Sequence, residues 1–299
     1  MTPQDFDYIA ALLKKYSGFS LIPSQLYLLE SRLGPILRQN NLVGLDELVT
    51  SLKLDNVELR KAVIEAVSVN NTRFFRNKYV FKTIEEFLKN KMEKESEQSE
   101  TRILSAGCAS GQEAVSVALL FHEMALSTDK SLNIYAFDMS QKIIDRAQKG
   151  FYTHYEVQKG LPIRLLLKYF TPVQNDYWQL NSDVAKTIHY HVHNLMNPFD
   201  QGNFDVILCR NMISFMTSEA QQTTLQNLAS IIKPDGLLII GASEVLYDNM
   251  FFEKIPDKIA CYRLKQAPFA KEIHRTKTIG GLLAKKPRFK SAITNKDAS

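Results

Sequence analysis

Three features of the sequence predict an α/β fold in which a small all-helical domain precedes a doubly wound, mostly parallel sheet. Apolar residues recur at helical spacing through the first 80 residues. From residue 101 onward, short apolar runs alternate with helical stretches, a pattern that places helices on both faces of a parallel sheet. The loop GCASG at residues 107–111 joins the first apolar run to the first helix of this region, as in Rossmann-like domains.

The N-terminal helical domain is predicted to span residues 1–88. Thr2 can cap the first helix, Pro3 suits its first position, and Gly18 suits its end. The apolar stripe of this helix is formed by Phe6, Ile9, Leu12, Leu13 and Tyr16. Further helical patterns lie at residues 26–37, 45–52 and 62–67. We interpret these stripes as the core of a helical domain.

A polar stretch at residues 89–100 is interpreted as a linker or a solvated helix end that marks the domain boundary. The second domain is predicted to span residues 101–265. Its strands are predicted at residues 102–106, 133–137, 188–193, 204–208 and 237–240, and its helices at 113–124, 140–148 and 219–232. Ser218 and Gln221 are predicted to form the capping box of the last helix.

One segment interrupts this alternation. Turn signals flank the sequence YWQL at residues 177–180, with Gln-Asn-Asp before it and Asn-Ser-Asp after it. These residues favour tight turns. We therefore predict a small β-hairpin insertion at about residues 169–186.

The net charge of +5 is concentrated at the C-terminus. Residues 267–299 contain eight Lys or Arg and two acidic residues, so they carry +6 and leave −1 for the rest of the chain. Residues 266–299 are therefore predicted to be a basic, disordered tail. Because the remainder has no basic character, nucleic acid is not an expected partner.

The composition also bears on the compartment. No apolar run reaches the ~20 residues that cross a bilayer, and the N-terminus lacks the features of a secretion signal. The three widely spaced cysteines are typical of reduced thiols. We expect a cytoplasmic protein, monomeric and without a metal site.

His189, His191 and His193 share one face of a predicted strand, but we interpret them as packing residues.

Two features of the second domain indicate an adenosine-containing ligand. The small residues at 107–111 allow close approach of the backbone, and their GxxxG spacing matches neither the NAD fingerprint nor a P-loop. Asp138 follows the second predicted strand, where a carboxylate commonly holds the hydroxyls of a ribose. A helix N-cap is the alternative role for Asp138, and Ser140 could serve there equally well.

Four sequence stretches carry a more specific resemblance. They are NNTRFFR at residues 70–76, SAGCASGQE at 105–113, CRN at 209–211 and PDG at 234–236. Through these stretches, the chain resembles the chemotaxis receptor methyltransferases from its first helix to about Leu264. Members of that family are protein-glutamate O-methyltransferases that use S-adenosyl-L-methionine and release S-adenosyl-L-homocysteine. NNTRFFR is the most distinctive stretch, because general methyltransferases have nothing similar there.

The resemblance implies a set of cofactor-binding residues. They are Asn70, Thr72, Arg76, Gly107, Glu113, Asp138, Asn194, Leu195, Arg210 and Asn211. Glu113 would hold the methionine end of the cofactor and Asp138 its ribose, while Asn194 and Leu195 would flank the adenine. The implied partners are the cytoplasmic domains of transmembrane chemotaxis receptors. The insertion at residues 169–186 would match the subdomain that captures a receptor's C-terminal tail in some members.

The implied reaction requires little acid–base chemistry. A glutamate side chain has a pKa of about 4.3 and is already an ionised nucleophile at neutral pH. The enzyme then mainly supplies orientation, exclusion of water and transition-state binding. Arg76 is the residue that we expect to act in catalysis, by orienting the acceptor carboxylate without pairing with it tightly.

One departure from the family pattern leaves alternatives open. The family carries Cys-Arg-Asn-x-x-x-Tyr-Phe, and we interpret Ser214 as the residue in the tyrosine's place. This change bears on the rate or on acceptor positioning. The first alternative is a catalytically weak module that binds S-adenosylmethionine as a sensor. The second is a methyltransferase for RNA or a small molecule, which only the basic tail favours.

Overall fold

A computed structural model of the 299-residue chain describes residues 2–68, 71–94, 100–124, 131–247 and 249–265. The chain opens with four helices: α1 (Pro3–Ser17), α2 (Leu26–Gln39), α3 (Leu45–Lys53) and α4 (Val57–Val67). They enclose one apolar core, in which Ile9, Leu13 and Leu33 are fully buried. The predicted helical N-terminal layer is therefore confirmed.

The ends of α1 follow the predicted signals. Thr2 and Asp5 form a reciprocal capping box, and Pro3 occupies the first position of the helix. Gly18 ends the helix with φ of 72°, in the left-handed region that favours glycine. A Cβ at Gly18 would lie 2.6 Å from the Cβ of Ala220, so this glycine also permits close contact with the rest of the fold.

The remaining elements alternate between helix and strand through α8 and form a mixed order after it. They are α5 (Lys78–Lys94), β1 (Glu100–Ala106), α6 (Gln112–Met124), β2 (Ser131–Asp138), α7 (Gln141–Lys149), β3 (Phe151–Thr153), α8 (His154–Gln158), α9 (Ile163–Tyr169), β4 (Phe170–Val173), β5 (Tyr177–Leu180), α10 (Ser182–Ala185), β6 (Ile188–Val192), β7 (Phe204–Cys209), α11 (Ser218–Ile231), β8 (Ile232–Ile240), β9 (Phe252–Lys254) and β10 (Cys261–Leu264). No helix in the described residues is long and apolar enough to span a membrane.

The main sheet has seven strands in the order β6-β2-β1-β7-β8-β10-β9. The first five strands are parallel, and β10 runs antiparallel to both of its neighbours. Ala106, at the end of β1, lies opposite Phe137 of β2 and Cys209 of β7. The loops that follow these three strands therefore meet at one edge of the sheet, which is where ligands bind in doubly wound folds.

Both faces of this sheet are covered. Successive residues of a strand point to opposite faces, and Ile103 and Leu104 of β1 accordingly belong to two separate apolar clusters. Val115 and Val117 of α6 pack with Ile103, whereas Leu225 and Leu228 of α11 pack with Leu104. The doubly wound architecture predicted from the alternation is confirmed.

Helix α5 packs differently from the predicted domain division. Ile84 and Leu88 are fully buried in the same cluster as Ile103 of the sheet, not in the cluster of α1 to α4. The helix also extends to Lys94, so the first part of the predicted linker at residues 89–100 is helical. The packing thus changes from one core to the other between Val67 and Phe74. Residues 95–99 and the predicted tail at 266–299 lie outside the described residues.

The predicted hairpin is part of a larger unit. Strands β4 and β5 form it, with Asn175 and Asp176 at positive φ in the turn. A third strand, β3, pairs antiparallel with β5 and gives the order β3-β5-β4. The insertion predicted at residues 169–186 is therefore too short. A three-residue strand provides too little sequence for an alternation to be recognised.

The start of α11 corrects another prediction. Thr217, not Ser218, is the N-cap, and its side chain accepts a hydrogen bond from the backbone N–H of Ala220. Gln221 instead donates to the carbonyl oxygens of Ile213 and Met216. Thr and Ser are both good caps, so the sequence could not choose between neighbouring positions.

Candidate functional site

A cleft lies at the carboxyl edge of β1, β2 and β7, beneath the N-terminal helices. The structure brings nine of the predicted site residues to its wall: Thr72, Arg76, Gly107, Glu113, Asp138, Asn194, Leu195, Arg210 and Asn211. Asn70, the tenth, lies outside the described residues. These residues come from segments that are far apart in the chain, and the sheet topology brings them together.

The loop between β1 and α6 is held against its neighbours by tight contacts. The backbone N–H groups of Gly107 and Cys108 both donate to the carbonyl oxygen of Phe137 at 2.8 Å. Gly107 has φ of +77°, and a Cβ there would lie 2.8 Å from the sulfur of Met212. The left-handed backbone at this turn therefore favours glycine, and a side chain here would also displace the flexible side chain of Met212.

The Asp138 carboxylate is anchored but keeps free acceptor capacity. Its Oδ2 accepts from the N–H of Ala109 at 3.1 Å, and its Oδ1 accepts from the N–H of Ser140 at 3.0 Å. Each carboxylate oxygen can accept a second bond. The N-cap of α7 is Ser140, so Asp138 is not needed in that role. Burial raises the pKa of Asp138, against the effect of the backbone hydrogen bonds from Ser140 and Ala109.

Glu113 and Arg210 form an ion pair at the floor of the cleft. Arg210 Nη1 lies 2.8 Å from Glu113 Oε2, and the arginine side chain is only 2% exposed. Ser105 of β1 donates to Glu113 Oε1 at 2.8 Å. Arg210 also donates to the carbonyl oxygen of Arg76 and to the side chain of Asn77, both at 2.8 Å. This network links β1, α6 and β7 to the segment that precedes α5.

The described part of the NNTRFFR segment, residues 71–76, is fixed by its two aromatic residues. Phe74 is fully buried and packs edge-on against Tyr152, with ring centroids 5.0 Å apart. The N–H of Phe75 donates to the hydroxyl of Ser116, and Phe75 adopts φ of 46°. Left-handed backbone at a bulky residue is strained and persists only where the surroundings impose it. The conformation of the segment is thus set by tertiary contacts.

Arg76 is half-buried at the wall of the cleft. Its guanidinium donates to the carbonyl oxygen of Asn71 at 3.0 Å and makes no ion pair within the described residues. Burial lowers the pKa of Arg76, and the neighbouring positive charges of Arg210 and Arg73 act in the same direction. An unpaired guanidinium in such surroundings favours an incoming anion.

Asn194 and Leu195 lie where the helical layer meets the sheet. Asn194 Nδ2 donates to the carbonyl oxygen of Tyr16 in α1 at 2.8 Å, and its Oδ1 accepts from the N–H of Met196. Leu195 is buried, and its carbonyl oxygen accepts from the side chain of Asn227. The polar group of Asn194 is therefore engaged in joining the two layers.

The helical layer closes over the cleft through main-chain contacts. Phe19 and Met216 form an antiparallel bridge. The N–H of Ser20 donates to the carbonyl oxygen of Phe215, and the N–H of Thr217 donates to that of Gly18, both at 2.8 Å. A further bond, from the N–H of Gln141 to Glu65, joins α4 to the start of α7. These contacts position the N-terminal helices as the roof of the site.

Sequence reasoning assigned no role to Glu244, which organises the loop after β7. The side chain is buried, and its carboxylate accepts from the backbone N–H groups of Asn211, Ser214 and Gly241 at 2.8, 3.0 and 2.7 Å. It therefore holds the backbone around Asn211 in place. The sequence places Glu244 shortly after β8, at the same sheet edge.

The position of the family's tyrosine needs a correction. In the pattern Cys-Arg-Asn-x-x-x-Tyr-Phe, the tyrosine is the fourth residue after the asparagine, which is Phe215 here. The interpretation of Ser214 as its substitute was wrong by one position. Both residues line the cleft, and Phe215 is 38% exposed. The departure is thus the loss of one hydroxyl from an aromatic ring that is otherwise kept.

Comparisons with known proteins agree with this architecture. Residues 4–68 match the family description "CheR methyltransferase, all-alpha domain", and residues 70–261 match "CheR methyltransferase, SAM binding domain". Chemotaxis protein methyltransferase 1 of Pseudomonas aeruginosa is 28% identical over 247 residues, which cover 81% of this chain and 90% of that protein. Chemotaxis protein methyltransferase Cher2 of Pseudomonas putida is 30% identical over 253 residues, covering 81% and 90%.

A third relative is the chemotaxis protein methyltransferase of Borreliella burgdorferi. It is 30% identical over 269 residues, which cover 85% of this chain and 93% of that protein. The similarity therefore extends through both the helical layer and the sheet. The chain belongs to the CheR methyltransferase family and is an S-adenosylmethionine-dependent methyltransferase.

Proposed function

We propose that this protein transfers the methyl group of S-adenosylmethionine to glutamate side-chain carboxylates of chemotaxis receptors, forming glutamate methyl esters. The observation that carries the proposal is the placement of Arg76, half-buried and without an acidic partner among the described residues, beside the Glu113–Arg210 pair. This arrangement provides a binding position for an anionic acceptor next to the floor of the cofactor cleft. The names of the relatives support the same substrate class.

The residues present suit the cofactor. Asp138 keeps one acceptor position on each carboxylate oxygen, as two ribose hydroxyls require. Glu113 is held by Arg210 and Ser105 and retains acceptor capacity for an ammonium group. We propose that Asn70, Thr72, Gly107, Asn194, Leu195 and Asn211 complete the site. When bound, the cofactor supplies an electrophilic methyl group on a positively charged sulfur.

The protein's own residues then have simple tasks. The acceptor carboxylate is ionised at neutral pH, so no side chain has to remove a proton. Arg76 orients it toward the cleft, and the roof formed by the N-terminal helices limits access of water. A carboxylate oxygen forms a bond to the methyl carbon, the carbon–sulfur bond breaks, and its electron pair remains on the sulfur. S-adenosylhomocysteine is then the second product.

Two further parts of the proposal concern the domain boundary and the docking of the receptor. We propose a helical domain that ends near residue 69 and a methyltransferase domain that continues to residue 265, because the apolar core changes at that point. We also propose that a receptor's C-terminal tail adds a strand to the small sheet. Its outer strands, β3 and β4, each pair with β5 alone among the described strands.

Incubation with methyl-labelled cofactor and a purified cytoplasmic receptor fragment tests the proposed reaction. We expect label in the receptor that is released as methanol by mild base, as a methyl ester requires. Replacement of the acceptor glutamates by alanine should abolish the labelling. Cofactor binding without any transfer to receptors would contradict the proposal.

Phe215 favours a second candidate, a cofactor-binding module of low activity, because the phenolic hydroxyl of the family pattern is missing. In that case, S-adenosylhomocysteine would bind tightly while receptor labelling stays at background. Transfer to RNA or a small molecule remains the third candidate. Deletion of residues 267–299 separates it from the first, since our proposal predicts that the deleted protein retains the core reaction.

A further inference from the structure

Arg73 stands apart from the other two arginines of the cleft. It lines the cleft and is exposed to solvent, and within the described residues it has neither an ion pair nor a hydrogen-bond partner. Arg210 is buried and neutralised by Glu113, and Arg76 is half-buried and donates to Asn71. Arg73 is therefore an exposed cation at the wall of the cleft that no acidic side chain among the described residues neutralises.

The backbone that carries Arg73 is held firmly. The next residue, Phe74, is fully buried among Tyr152 and Phe170, with ring centroids 5.0 and 5.9 Å away. Gly160 also approaches this segment so closely that a Cβ on it would lie 2.3 Å from the carbonyl oxygen of Phe74. A long cationic side chain is thus presented from a fixed point. This suits selective contact with a bound protein better than a mobile loop would.

We propose that Arg73 is a specificity-determining residue that binds a second carboxylate of the acceptor protein, close to the glutamate that receives the methyl group. The inference rests on the proposed function. Arg76 is the residue placed for the reacting carboxylate, because it is half-buried and adjacent to the Glu113–Arg210 pair. Arg73 is exposed, so its partner must lie on the surface that the acceptor presents to the mouth of the cleft.

There is a physical reason for Arg76 and Arg73 to bind different carboxylates of the acceptor. A tight ion pair to the reacting oxygen would stabilise the ground state and slow the transfer. A pair to a neighbouring carboxylate holds the acceptor without that penalty, since the contact is equal in the ground and transition states. Such uniform binding lowers KM and leaves kcat unchanged. Because the site is exposed, we expect an effect of about 2- to 10-fold that weakens with salt.

The experiment uses the full chain and a purified receptor cytoplasmic fragment from the same organism. KM and kcat for the fragment, the ionic-strength dependence of KM, and the Kd of S-adenosylhomocysteine are measured for wild type, Arg73→Gln and Arg73→Lys. Lys82→Gln is the matched control, because Lys82 is exposed on α5 and does not line the cleft. It removes the same charge from the protein.

We expect Arg73→Gln to raise KM by about 2- to 10-fold, with unchanged kcat and unchanged Kd, and to flatten the salt dependence of KM. Arg73→Lys should recover part of the effect, and Lys82→Gln should behave as wild type. A change in the Kd of S-adenosylhomocysteine, a change confined to kcat, or an unchanged KM would each overturn the inference. Absence of transfer by wild type would instead refute the proposed function.

The second carboxylate can be located by pairwise substitution. Each acidic residue within one helical turn of the modified glutamate is changed to its amide in the receptor fragment, and KM is measured with wild type and Arg73→Gln. One amide should raise KM for wild type but not for Arg73→Gln, because the pair is already lost there. Additive effects at every position would contradict the inference.

Discussion

The Arg210 guanidinium donates to the Glu113 carboxylate across 2.8 Å and thereby joins the end of β7 to the first turn of α6. The two residues are 97 positions apart in the chain. Arg210 further holds Arg76 and Asn77 through a carbonyl and an amide oxygen. One buried ion pair thus couples the floor of the cleft to the segment that we propose to receive the acceptor.

The first prediction concerns this pair. Glu113→Gln removes the negative charge that faces Arg210 and, as we propose, the ammonium group of the cofactor. We expect the Kd of S-adenosylhomocysteine to rise at least about 10-fold, since charged hydrogen bonds contribute on the order of 1.5–3 kcal/mol. Titration calorimetry measures it. Glu123→Gln is the control and should leave the Kd unchanged, because Glu123 pairs with Lys168 and neither residue lines the cleft.

The second prediction concerns the pH dependence of cofactor binding. Burial raises the pKa of Asp138 above its usual value of 3.8. Only an ionised carboxylate could accept from both hydroxyls of the ribose that we propose Asp138 binds. Affinity for S-adenosylhomocysteine should therefore fall as the pH is lowered through that raised pKa. Asp138→Asn should bind about 10- to 100-fold more weakly at pH 7 and lose this pH dependence. Affinity measured across a pH series checks both; an Asn variant with wild-type affinity would contradict the assignment.

The raised pKa of Asp138 also affects the stability of the cofactor-free protein, and this effect has the opposite pH dependence to cofactor binding. Between 3.8 and the raised pKa, folded Asp138 binds more protons than it does in the unfolded chain. The contribution of Asp138 to the free energy of unfolding therefore decreases as the pH rises through this range. Asp138→Asn should lack that decrease, which urea unfolding without cofactor can detect.

The third prediction concerns acid stability at Glu123. Hydrogen bonding from Lys168, together with Tyr169 and Arg164, lowers the pKa of Glu123 from 4.5 to about 2. A lowered pKa stabilises the fold above pH 4.5, and this contribution is lost as the pH falls toward 2. After allowance for solvent screening, we expect Glu123→Gln to cost about 1 kcal/mol at pH 7. Urea unfolding at several pH values should show the two proteins converging at low pH.

The fourth prediction concerns Glu244. Removal of its carboxylate in Glu244→Ala leaves three backbone N–H groups without their acceptor, so we expect a loss of about 3 kcal/mol in unfolding free energy and lower kcat. Urea unfolding and methyl-transfer rates check this. Glu253→Ala, which breaks an exposed pair with Arg263, should change stability by less than about 0.5 kcal/mol. Equal effects of the two substitutions would show that the loop does not depend on Glu244.

Much of the secondary structure could be predicted because its signals are local. The Thr2 cap, the Gly18 stop and the apolar stripe between them determine α1 within a few residues of sequence. Strand β3 has only three residues and escaped prediction, although β4 and β5 did not. The capping box at Ser218 failed because two adjacent hydroxyl side chains carry the same local signal.

Some residues of the site could likewise be predicted from local signals, and others could not. The positions of Gly107 and Asp138 at the cleft could be predicted because both lie at the end of a recognisable strand, at the edge of the sheet where ligands bind in doubly wound folds. The role of Glu244 was missed because two of the three backbone groups that it holds, those of Asn211 and Ser214, are 33 and 30 positions away in the chain. The unpaired state of Arg73 was equally invisible, since a sequence does not show which charges meet.

The sequence by itself determined the alternation of helices and strands, the glycine loop after β1 and the family, because periodicity and short motifs are properties of neighbouring residues. Only the tertiary structure decided that α5 packs on the sheet, that Glu113 pairs with Arg210, and that Phe75 accepts a left-handed backbone. Each of these depends on contacts between distant segments, whose free energy exists only once the chain has folded.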